Sequence, residues 1–270
     1  MRISEWVAFL YFVYLLLVAA IKAPWPRRTR AIAASVAASA AAVAPNLVFP
    51  DTLTTSYLRD WLPAIYLTIG YWLSGWYFVR PMEDVEAKFL AWDWLVLGRD
   101  GGAWLVHAQP RLVVETLELA YVGCFLFVPS GMLILAVAGH RAAADRFWTL
   151  VLLSELGSFG VLPWIQTRPP RVLETAIAIE RRPLILRHVN RFMVKNTSIG
   201  VNTFPSGHVA GALATAIAVS EVMPALAPAL LVIALTIAAA SVLGRYHYFV
   251  DAVAGAAFGL LAWTLVSLLW

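Results

Sequence analysis

Two short polar segments interrupt the hydrophobic C-terminal part of this 270-residue chain. Residues 203–208 read Thr-Phe-Pro-Ser-Gly-His, and residues 244–251 read Gly-Arg-Tyr-His-Tyr-Phe-Val-Asp. Each segment lies where a hydrophobic run begins or ends. Ionisable residues at one depth of an otherwise apolar chain indicate a functional site.

The second segment carries a histidine and an aspartate four residues apart, His247 and Asp251. If the last helix begins near Tyr246, the two side chains share one helical face. The carboxylate can then accept a hydrogen bond from one imidazole nitrogen, which fixes the tautomer and leaves the other nitrogen free to attack. By itself, such a pair is equally compatible with a helix cap in the lipid headgroup region.

The first segment leads directly into an apolar run and predicts a helix N-terminus. Ser206 and Gly207 there would present backbone N–H groups, and the helix dipole favours an anion at that position. His208, on the first turn, can point at the same anion. The alternative is that this segment merely caps a helix at the membrane interface.

Three arginines are candidates for binding a phosphate. Arg168 and Arg171 follow the fifth hydrophobic run, and Arg245 lies two residues before His247. Guanidinium groups suit tetrahedral oxyanions. The alternative is positive charge flanking membrane helices, which stays the stronger interpretation for the basic residues of the connecting segment: Arg181, Arg182, Arg187, Arg191 and Lys195.

Together these segments supply two histidines, an aspartate, cations and helix N–H groups, which is a set suited to phosphoryl transfer through a phosphohistidine. One histidine attacks phosphorus, the aspartate orients it, and the other histidine protonates the leaving oxygen. The arginines and N–H groups hold the phosphoryl oxygens. We therefore expect neither a metal nor a cofactor.

At these residues the chain resembles the type-2 phosphatidic acid phosphatase superfamily, whose soluble relatives include vanadium haloperoxidases. Residues 205–208 match that family's Pro-Ser-Gly-His motif, His247 and Asp251 match the end of its third motif, and Arg168-Pro169 matches the end of its first. The resemblance covers roughly the last 160 residues. It implies His247 as nucleophile, Asp251 as its partner, His208 as general acid and a lipid phosphate as substrate.

The chain departs from the family pattern at two positions. The family's lysine falls at Val161, and the arginine of its third motif falls at Ser241, with Arg245 close by as a possible replacement. Residues 244–251 look more like the branch that contains inositol phosphorylceramide synthases, as does the Arg-Pro-Pro-Arg sequence at 168–171. That branch transfers a lipid phosphoryl group to an alcohol instead of water.

Composition favours a polytopic membrane protein. The chain is 61% hydrophobic and 13% charged, with a mean hydropathy of +0.76, and its twelve tryptophans suit membrane interfaces. A net charge of +4 gives no case for nucleic acid, because the basic residues flank hydrophobic runs. The one cysteine, Cys124, excludes an intramolecular disulfide and a cysteine-based zinc site.

The predicted fold is all-α: a polytopic membrane helical bundle with a six-helix phosphatase-type core. Hydrophobic runs fall at about 5–22, 31–49, 61–79, 112–138, 147–166, 205–222, 226–243 and 249–269. The second run is Ala-rich and only mildly apolar, with Pro45 inside it. We expect N-terminal membrane helices over 1–60 and a phosphatase-like core over 61–270, while the mixed segment 80–111 and the basic segment 172–204 suit helices lying in the interface.

Glu155 lies within the fifth run, where a buried acid usually faces a bundle interior. It could orient an arginine of the site, but an interhelical hydrogen bond is the favoured interpretation. Gly207 and Gly211 are four residues apart, as are Gly255 and Gly259, and such spacing lets helix backbones approach closely. That approach would bring the helix starts bearing His208 and Asp251 together.

The sequence thus predicts an integral-membrane lipid phosphate phosphatase, with the bilayer and a phosphorylated lipid as its partners. A lipid phosphotransferase and a non-catalytic protein that binds or transports an anionic lipid are the alternatives. Eight spans would put the site on the same face as Arg27, Arg28 and Arg30, which favours the cytoplasm. The family resemblance implies an extracytoplasmic site in a plasma or inner membrane, and we adopt that expectation. The lipid and the oligomeric state stay open.

Overall fold

The computed structural model describes residues 1–50, 52–98, 102–173 and 183–270. The described residues form twelve helices joined by short connections, and no strand occurs among them apart from an isolated bridge between Thr167 and Asn202. The helices are α1 (Ile3–Lys22), α2 (Trp25–Val48), α3 (Leu53–Gly75), α4 (Glu83–Leu97), α5 (Ala103–Ala108), α6 (Arg111–Val137), α7 (Ala144–Val161), α8 (Pro170–Leu173), α9 (Ile185–Thr197), α10 (Gly207–Val222), α11 (Ala227–Leu243) and α12 (Phe249–Leu269).

Every one of the eight predicted hydrophobic runs coincides with a helix, so the all-α membrane bundle is confirmed. Helices α1, α2, α6 and α12 are long and apolar enough to cross a membrane, as is α11 together with the turn before it. Helix α10 is apolar but shorter. The second run, the least certain from sequence, is among the five candidate spans. The protein is therefore a multi-pass membrane protein.

Helices α7 and α10 form the centre of the bundle. Helix α7 packs against α1, α3, α10 and α12, and α10 packs against α6, α7, α11 and α12. Their contact faces bury large apolar side chains such as Trp148, Leu150 and Val219. Helices α1, α2 and α3 pack together on the other side of α7. Helix α3 crosses position 60, and the division of the chain at that position stays a prediction.

Glycines let the central helices approach closely, as the sequence predicts. A Cβ at Gly207 would overlap Phe159, and one at Gly211 would overlap Glu155, so α7 and α10 run antiparallel. On the other side of α10, Gly255 lies against the backbone of Ser206, and a Cβ at Gly259 would lie 3.2 Å from the Ala210 carbonyl oxygen. The starts of α10 and α12 therefore lie side by side.

The end of the bundle that carries the chain's N-terminus is held by ion pairs. The Arg2 guanidinium lies 2.8 Å from the Asp60 carboxylate, and Arg59 pairs with the buried Glu5, also at 2.8 Å. Asp145 accepts hydrogen bonds from backbone N–H groups of the first turn of α1, including that of Ser4 at 2.9 Å. The two polar segments lie at the opposite end, where α7 ends and α10 and α12 begin.

The two segments expected in the interface both contain helices among their described residues. Helices α4 and α5 occupy the mixed segment, and α9 occupies the basic one. Residues 99–101 and 174–182 lie outside the described residues, so the expectations for Arg181 and Arg182 lie there as well. Helix α4 packs on α12 and α9 packs on α6, which places both beside the starts of the site helices.

Candidate active site

His247 and Asp251 are in contact, as the sequence predicts. The His247 Nδ1 atom lies 3.2 Å from an Asp251 carboxylate oxygen, and the same oxygen accepts a hydrogen bond from the Tyr248 N–H at 2.9 Å. Helix α12 begins at Phe249, so the expected start near Tyr246 is wrong. The contact arises because Asp251, on the first turn, folds back over the helix N-terminus towards the residue that precedes it.

His208 lies opposite this pair, on the first turn of α10. Its ring meets the His247 ring edge to face, with centroids 5.7 Å apart. Tyr121 and Phe125 of α6 pack edge to face against His208 at 5.6 and 5.0 Å. The aromatic rings restrict the orientation of His208, and the two imidazoles are close enough to contact one phosphoryl group between them.

The turn before α10 is tied directly to α12. The Ser206 N–H donates to the Asp251 carbonyl oxygen at 2.9 Å, and the Ser206 hydroxyl accepts from the Val209 N–H at 3.4 Å. Ser206 is fully buried and acts as the N-cap of α10. Its hydroxyl is therefore used by the helix, and the backbone N–H groups at Gly207 and His208 are the groups of this turn suited to an anion.

Arg171 lies against residues 245–246, directly before His247, and its positive charge acts on that histidine. Its backbone N–H donates to the Arg245 carbonyl oxygen at 3.1 Å, and its guanidinium donates to the Tyr246 carbonyl oxygen at 3.4 Å. The guanidinium carbon lies 5.3 Å from the centre of the Tyr246 ring. Within the described ranges no carboxylate pairs with Arg171, so its charge is available to an anionic ligand. Burial lowers the Arg171 pKa from its ordinary value.

Burial also sets the protonation state of His247. The side chain is about 5% exposed, and its burial, followed by the nearby positive charge of Arg171, lowers the pKa of His247 to about 3. The imidazole is thus neutral at physiological pH, which a nucleophilic nitrogen requires. With Nδ1 against Asp251, the nitrogen left for attack is Nε2.

Arg245 has a carboxylate partner that the sequence did not reveal. Its guanidinium lies 2.7 Å from the buried Asp93 carboxylate of α4, and the other oxygen of Asp93 accepts from the Phe249 N–H at 2.7 Å. Arg245 is 2% exposed and has a φ of 60°. The residue therefore joins α4 to the start of α12, and its expected role in binding phosphate stays a prediction.

Arg168 is likewise held by acidic side chains of α4. Its guanidinium donates to Glu86 at 2.6 and 3.0 Å, and its backbone N–H donates to the same carboxylate at 2.6 Å. Glu83 lies 3.7 Å away. The hydrogen bond to Glu86 raises the Arg168 pKa. The Arg168 carbonyl accepts from the Tyr248 hydroxyl at 2.8 Å, so the residue borders the site, and its contact with phosphate stays a prediction.

A buried polar cluster beneath the site was missed by the sequence reasoning. The Arg187 guanidinium lies 3.1 Å from the Glu118 carboxylate and donates to the Tyr246 hydroxyl at 2.7 Å. Tyr246 in turn stacks on Tyr121 with ring centroids 3.6 Å apart. For Arg187, the interpretation as charge flanking a membrane helix is wrong, because its side chain is buried in an ion pair. The acid at position 118, inside a hydrophobic run, was the available signal.

The two positions at which the chain departs from the family pattern have structural roles here. Ser241 is buried, and its carbonyl oxygen accepts from the N–H groups of both Tyr246 and His247, at 3.0 and 2.9 Å. Val161 is the last residue of α7. Ser241 thus shapes the turn that presents His247. Among the residues that the structure describes, no group of three His, Cys, Asp or Glu side chains is placed to hold a metal ion.

Glu155 differs from both sequence interpretations. In the described part of the chain it makes neither an interhelical hydrogen bond nor an ion pair with an arginine, so those expectations find no support there. Its carboxyl packs against Gly211 and faces a cavity whose wall includes His208.

Comparison with known proteins identifies a family for most of this region. A family model described as the PAP2 superfamily matches residues 92–265, which is more than half of the chain and includes every predicted site residue. No curated protein and no solved structure matches the chain significantly.

Proposed function

The chain belongs to the PAP2 superfamily, and from that premise we propose that it is an integral-membrane phosphatase that hydrolyses a lipid phosphomonoester through a phosphohistidine. The contact that carries the proposal is the His247–Asp251 hydrogen bond with the His208 ring 5.7 Å from that of His247. Binding an anion would need neither an oriented imidazole nor a second histidine facing it. This set therefore favours catalysis over the alternative of an anionic-lipid binding or transport protein.

In the first step, Nε2 of neutral His247 attacks phosphorus and forms a P–N bond. The negative charge of the bound phosphate favours the protonated form of His208. The P–O bond to the lipid breaks, and the leaving oxygen takes that proton from His208. Asp251 stabilises the positive charge that develops on the His247 ring. Arg171 and the backbone N–H groups at the start of α10 hold the phosphoryl oxygens. The products are a lipid alcohol and phosphorylated His247.

In the second step, water attacks the phosphohistidine. His208, now neutral, takes a proton from the attacking water, and the P–N bond breaks. Inorganic phosphate leaves, His247 is again neutral and His208 is again protonated. The same histidine thus serves as acid and then as base, and no redox partner or metal enters either step.

Phosphate release by the detergent-purified protein from a panel of lipid phosphates tests the proposal. We expect turnover in the wild type, persistence of that turnover in EDTA, and its loss in both His247→Ala and His208→Ala. The matched control is His188→Ala, since His188 lies on α9 and its Nδ1 contacts the Leu184 carbonyl oxygen at 2.8 Å. Normal turnover by folded His247→Ala protein would overturn the proposed nucleophile.

Transfer to an alcohol is the second candidate. The sequence Arg-Pro-Pro-Arg at 168–171 favours it, because this sequence resembles the first motif of the branch that contains inositol phosphorylceramide synthases. The assay above distinguishes the two when inositol or another polyol is added. A new phospholipid formed only with the polyol, with little free phosphate, would assign the transferase reaction. Free phosphate without any acceptor would assign the phosphatase.

We further propose that the site faces away from the cytoplasm, in a plasma or inner membrane. Cysteine accessibility tests this, because the native Cys124 is buried. Lys88→Cys would place an exposed thiol beside the site, and Ala142→Cys would place one at the opposite end of the bundle. In intact cells a membrane-impermeant maleimide should label position 88 and spare position 142. The reverse pattern would make the site cytoplasmic.

A further inference from the structure

A cavity of about 410 Å³ lies beside His208 and extends away from the site. Helix α3 lines it with one face, from Ala64 to Trp72, and α6 lines it around Cys124 and Phe125. Glu155 of α7 completes the wall, and α9 closes the cavity near the interface. Most of these side chains are apolar, and the volume lies within the range of sites for small molecules, about 300–1,000 Å³.

The cavity runs from the depth of the histidines towards the middle of the membrane. Trp72 lies near the end of α3, and Ala64 lies eight residues earlier, which is about 12 Å along a helix axis. His208, at the start of α10, lines the same space. A lipid whose phosphate lies between the two histidines can therefore extend its hydrocarbon chain into the cavity. This placement rests on the proposed function.

Glu155 interrupts the apolar wall close to the phosphate site. Its carboxyl lies against Gly211, which is three residues beyond His208 and therefore about 4.5 Å deeper along α10. Glu155 is 8% exposed, and within the described residues its carboxyl oxygens receive no hydrogen bond. A polar group left without a partner at such a depth is costly, so an acid there indicates a ligand group that pairs with it.

The hydroxyl groups of the wall are already used by the protein. The hydroxyls of Thr68 and Thr197 donate to carbonyl oxygens of their own helices at 2.9 and 2.7 Å. The Tyr71 hydroxyl accepts from the Ile199 N–H at 3.1 Å and contacts the Ser198 hydroxyl. Among the described residues of the wall, Glu155 is therefore the group whose oxygens can still accept a hydrogen bond from a ligand.

We propose that Glu155 selects the substrate: a lipid phosphate whose backbone carries an O–H or N–H donor within two or three bonds of the phosphoester. At about 4.5 Å below His208, the Glu155 carboxyl meets the carbons next to the phosphate. A free hydroxyl or amine there satisfies the carboxyl. A fully esterified glycerol backbone offers acceptors alone, so it leaves the carbonyl oxygen of the Glu155 carboxyl without a donor and is bound less well.

A matched pair of single-chain lipids tests this inference. One is a 1-alkyl-2-hydroxy-glycerol 3-phosphate, and the other carries a methoxy group in place of the hydroxyl. We expect the wild type to prefer the hydroxyl lipid by about tenfold in kcat/KM, which corresponds to one hydrogen bond of about 1.4 kcal/mol. Glu155→Leu removes the acceptor at similar size and should reduce this ratio to about one. Thr236→Val alters a hydroxyl on α11 that lies outside the cavity wall and donates to the Val232 carbonyl oxygen at 2.7 Å, so it should leave the ratio unchanged.

A long-chain 2-amino-alkyl phosphate shows whether Glu155 binds a hydroxyl or an ammonium group of the lipid. Glu155→Gln keeps a carbonyl acceptor but cannot become negatively charged opposite an ammonium group. If the natural donor is a hydroxyl, Glu155→Gln retains most of the hydroxyl preference. If it is an ammonium group, the amino lipid is the best wild-type substrate and loses its advantage in Glu155→Gln. Equal use of the hydroxyl and methoxy lipids by the wild type would overturn the inference, as would a ratio that Glu155→Leu leaves intact.

Binding separates this inference from the proposed function. The same pair, prepared as non-hydrolysable phosphonates, is added to the wild-type and Glu155→Leu proteins, and the shift in melting temperature is measured. If no lipid phosphate is hydrolysed but the hydroxyl phosphonate binds more tightly in a Glu155-dependent way, the selection stands and the phosphatase assignment fails. If hydrolysis occurs without discrimination in either assay, the phosphatase assignment stands and the selection fails.

Discussion

Replacing Asp251 by asparagine and by alanine should have different effects, because one oxygen of the carboxylate has two partners. That oxygen accepts from the Tyr248 N–H at 2.9 Å and lies 3.2 Å from His247 Nδ1. In Asp251→Asn the Tyr248 N–H selects the amide oxygen for this position, because the amide NH₂ cannot accept it. His247 therefore keeps its tautomer and loses only the negative charge that stabilises its ring.

The expected magnitudes follow from these contacts. A hydrogen bond to a charged group contributes about 1.5–3 kcal/mol, so Asp251→Asn should lower kcat by about 10- to 100-fold. In Asp251→Ala nothing fixes the tautomer, and losses of about 10⁴ in kcat are known for histidines presented in the wrong tautomer. The Ala variant also leaves the buried Tyr248 N–H unpaired, which costs about 1–3 kcal/mol of stability.

Three measurements on detergent-purified protein check this order. Steady-state phosphate release gives kcat, acid-quenched labelling from a ³²P-lipid gives the amount of phosphohistidine, and the melting temperature reports folding. The Asn variant should melt near the wild-type temperature with reduced phosphohistidine formation. If Asp251→Asn is as inactive as Asp251→Ala while remaining folded, the argument that the helix cap orients the side chain is wrong. If it is fully active, the charge has no role.

Three further predictions follow from burial and packing. The pKa of His247 is lowered to about 3, so below pH 6.5 the unfolded state binds more protons than the folded state. The free energy of unfolding should therefore fall between pH 6.5 and 3, by up to about 3 kcal/mol at pH 4.5. Melting temperatures of His247→Gln should lack this part of the pH dependence. Gly255→Ala places a methyl group against the backbone of Ser206 at the start of α10, and it should lower the free energy of unfolding by about 1–3 kcal/mol and reduce turnover. The methyl group of Gly123→Ala meets no atom within 4 Å, so that variant should be neutral or slightly stabilising in the same thermal assay. Arg171→Gln should lower kcat/KM by about 10- to 100-fold, and Arg168→Gln by less, as measured by phosphate release, because Glu86 already holds the Arg168 guanidinium.

Each of these has a result that would contradict it. An unchanged pH profile in His247→Gln would mean that another group sets the acid sensitivity of the fold. Equal melting temperatures for Gly255→Ala and Gly123→Ala would show that α10 and α12 can separate without cost. A larger loss from Arg168→Gln than from Arg171→Gln would show that the ion pair with Glu86 opens when substrate binds.

The fold could be predicted from the sequence because hydrophobic runs of membrane length are a strong local signal. All eight runs coincide with helices, and even the Ala-rich second run forms α2. The close approach of the central helices also followed from the spacing of Gly207, Gly211, Gly255 and Gly259. Both signals, the length of a hydrophobic run and the four-residue spacing of glycines, can be recognised within a single segment of the sequence.

The arrangement of the site was only partly predictable. The spacing of His247 and Asp251 gave their contact, but not its origin in a side chain folded back over the start of α12. The acidic partners of the arginines come from distant parts of the chain: Asp93 lies 152 residues from Arg245 in sequence. Spacing within a motif cannot reveal such a pair, since it depends on how α4 packs against α12.

These pairs change how the site can bind a phosphate. Arg245, Arg168 and Arg187 each have a carboxylate partner, so their positive charges are largely compensated before any substrate arrives. Buried ion pairs of this kind fix geometry more than they attract ligands. Arg171 pairs with no carboxylate among the described residues, and its charge lies where it acts on His247. In the proposed reaction we therefore expect Arg171, the N–H groups of α10 and a proton on His208 to stabilise the phosphoryl group. Such an arrangement would favour the transition state, because the leaving oxygen accepts that proton only as the P–O bond breaks.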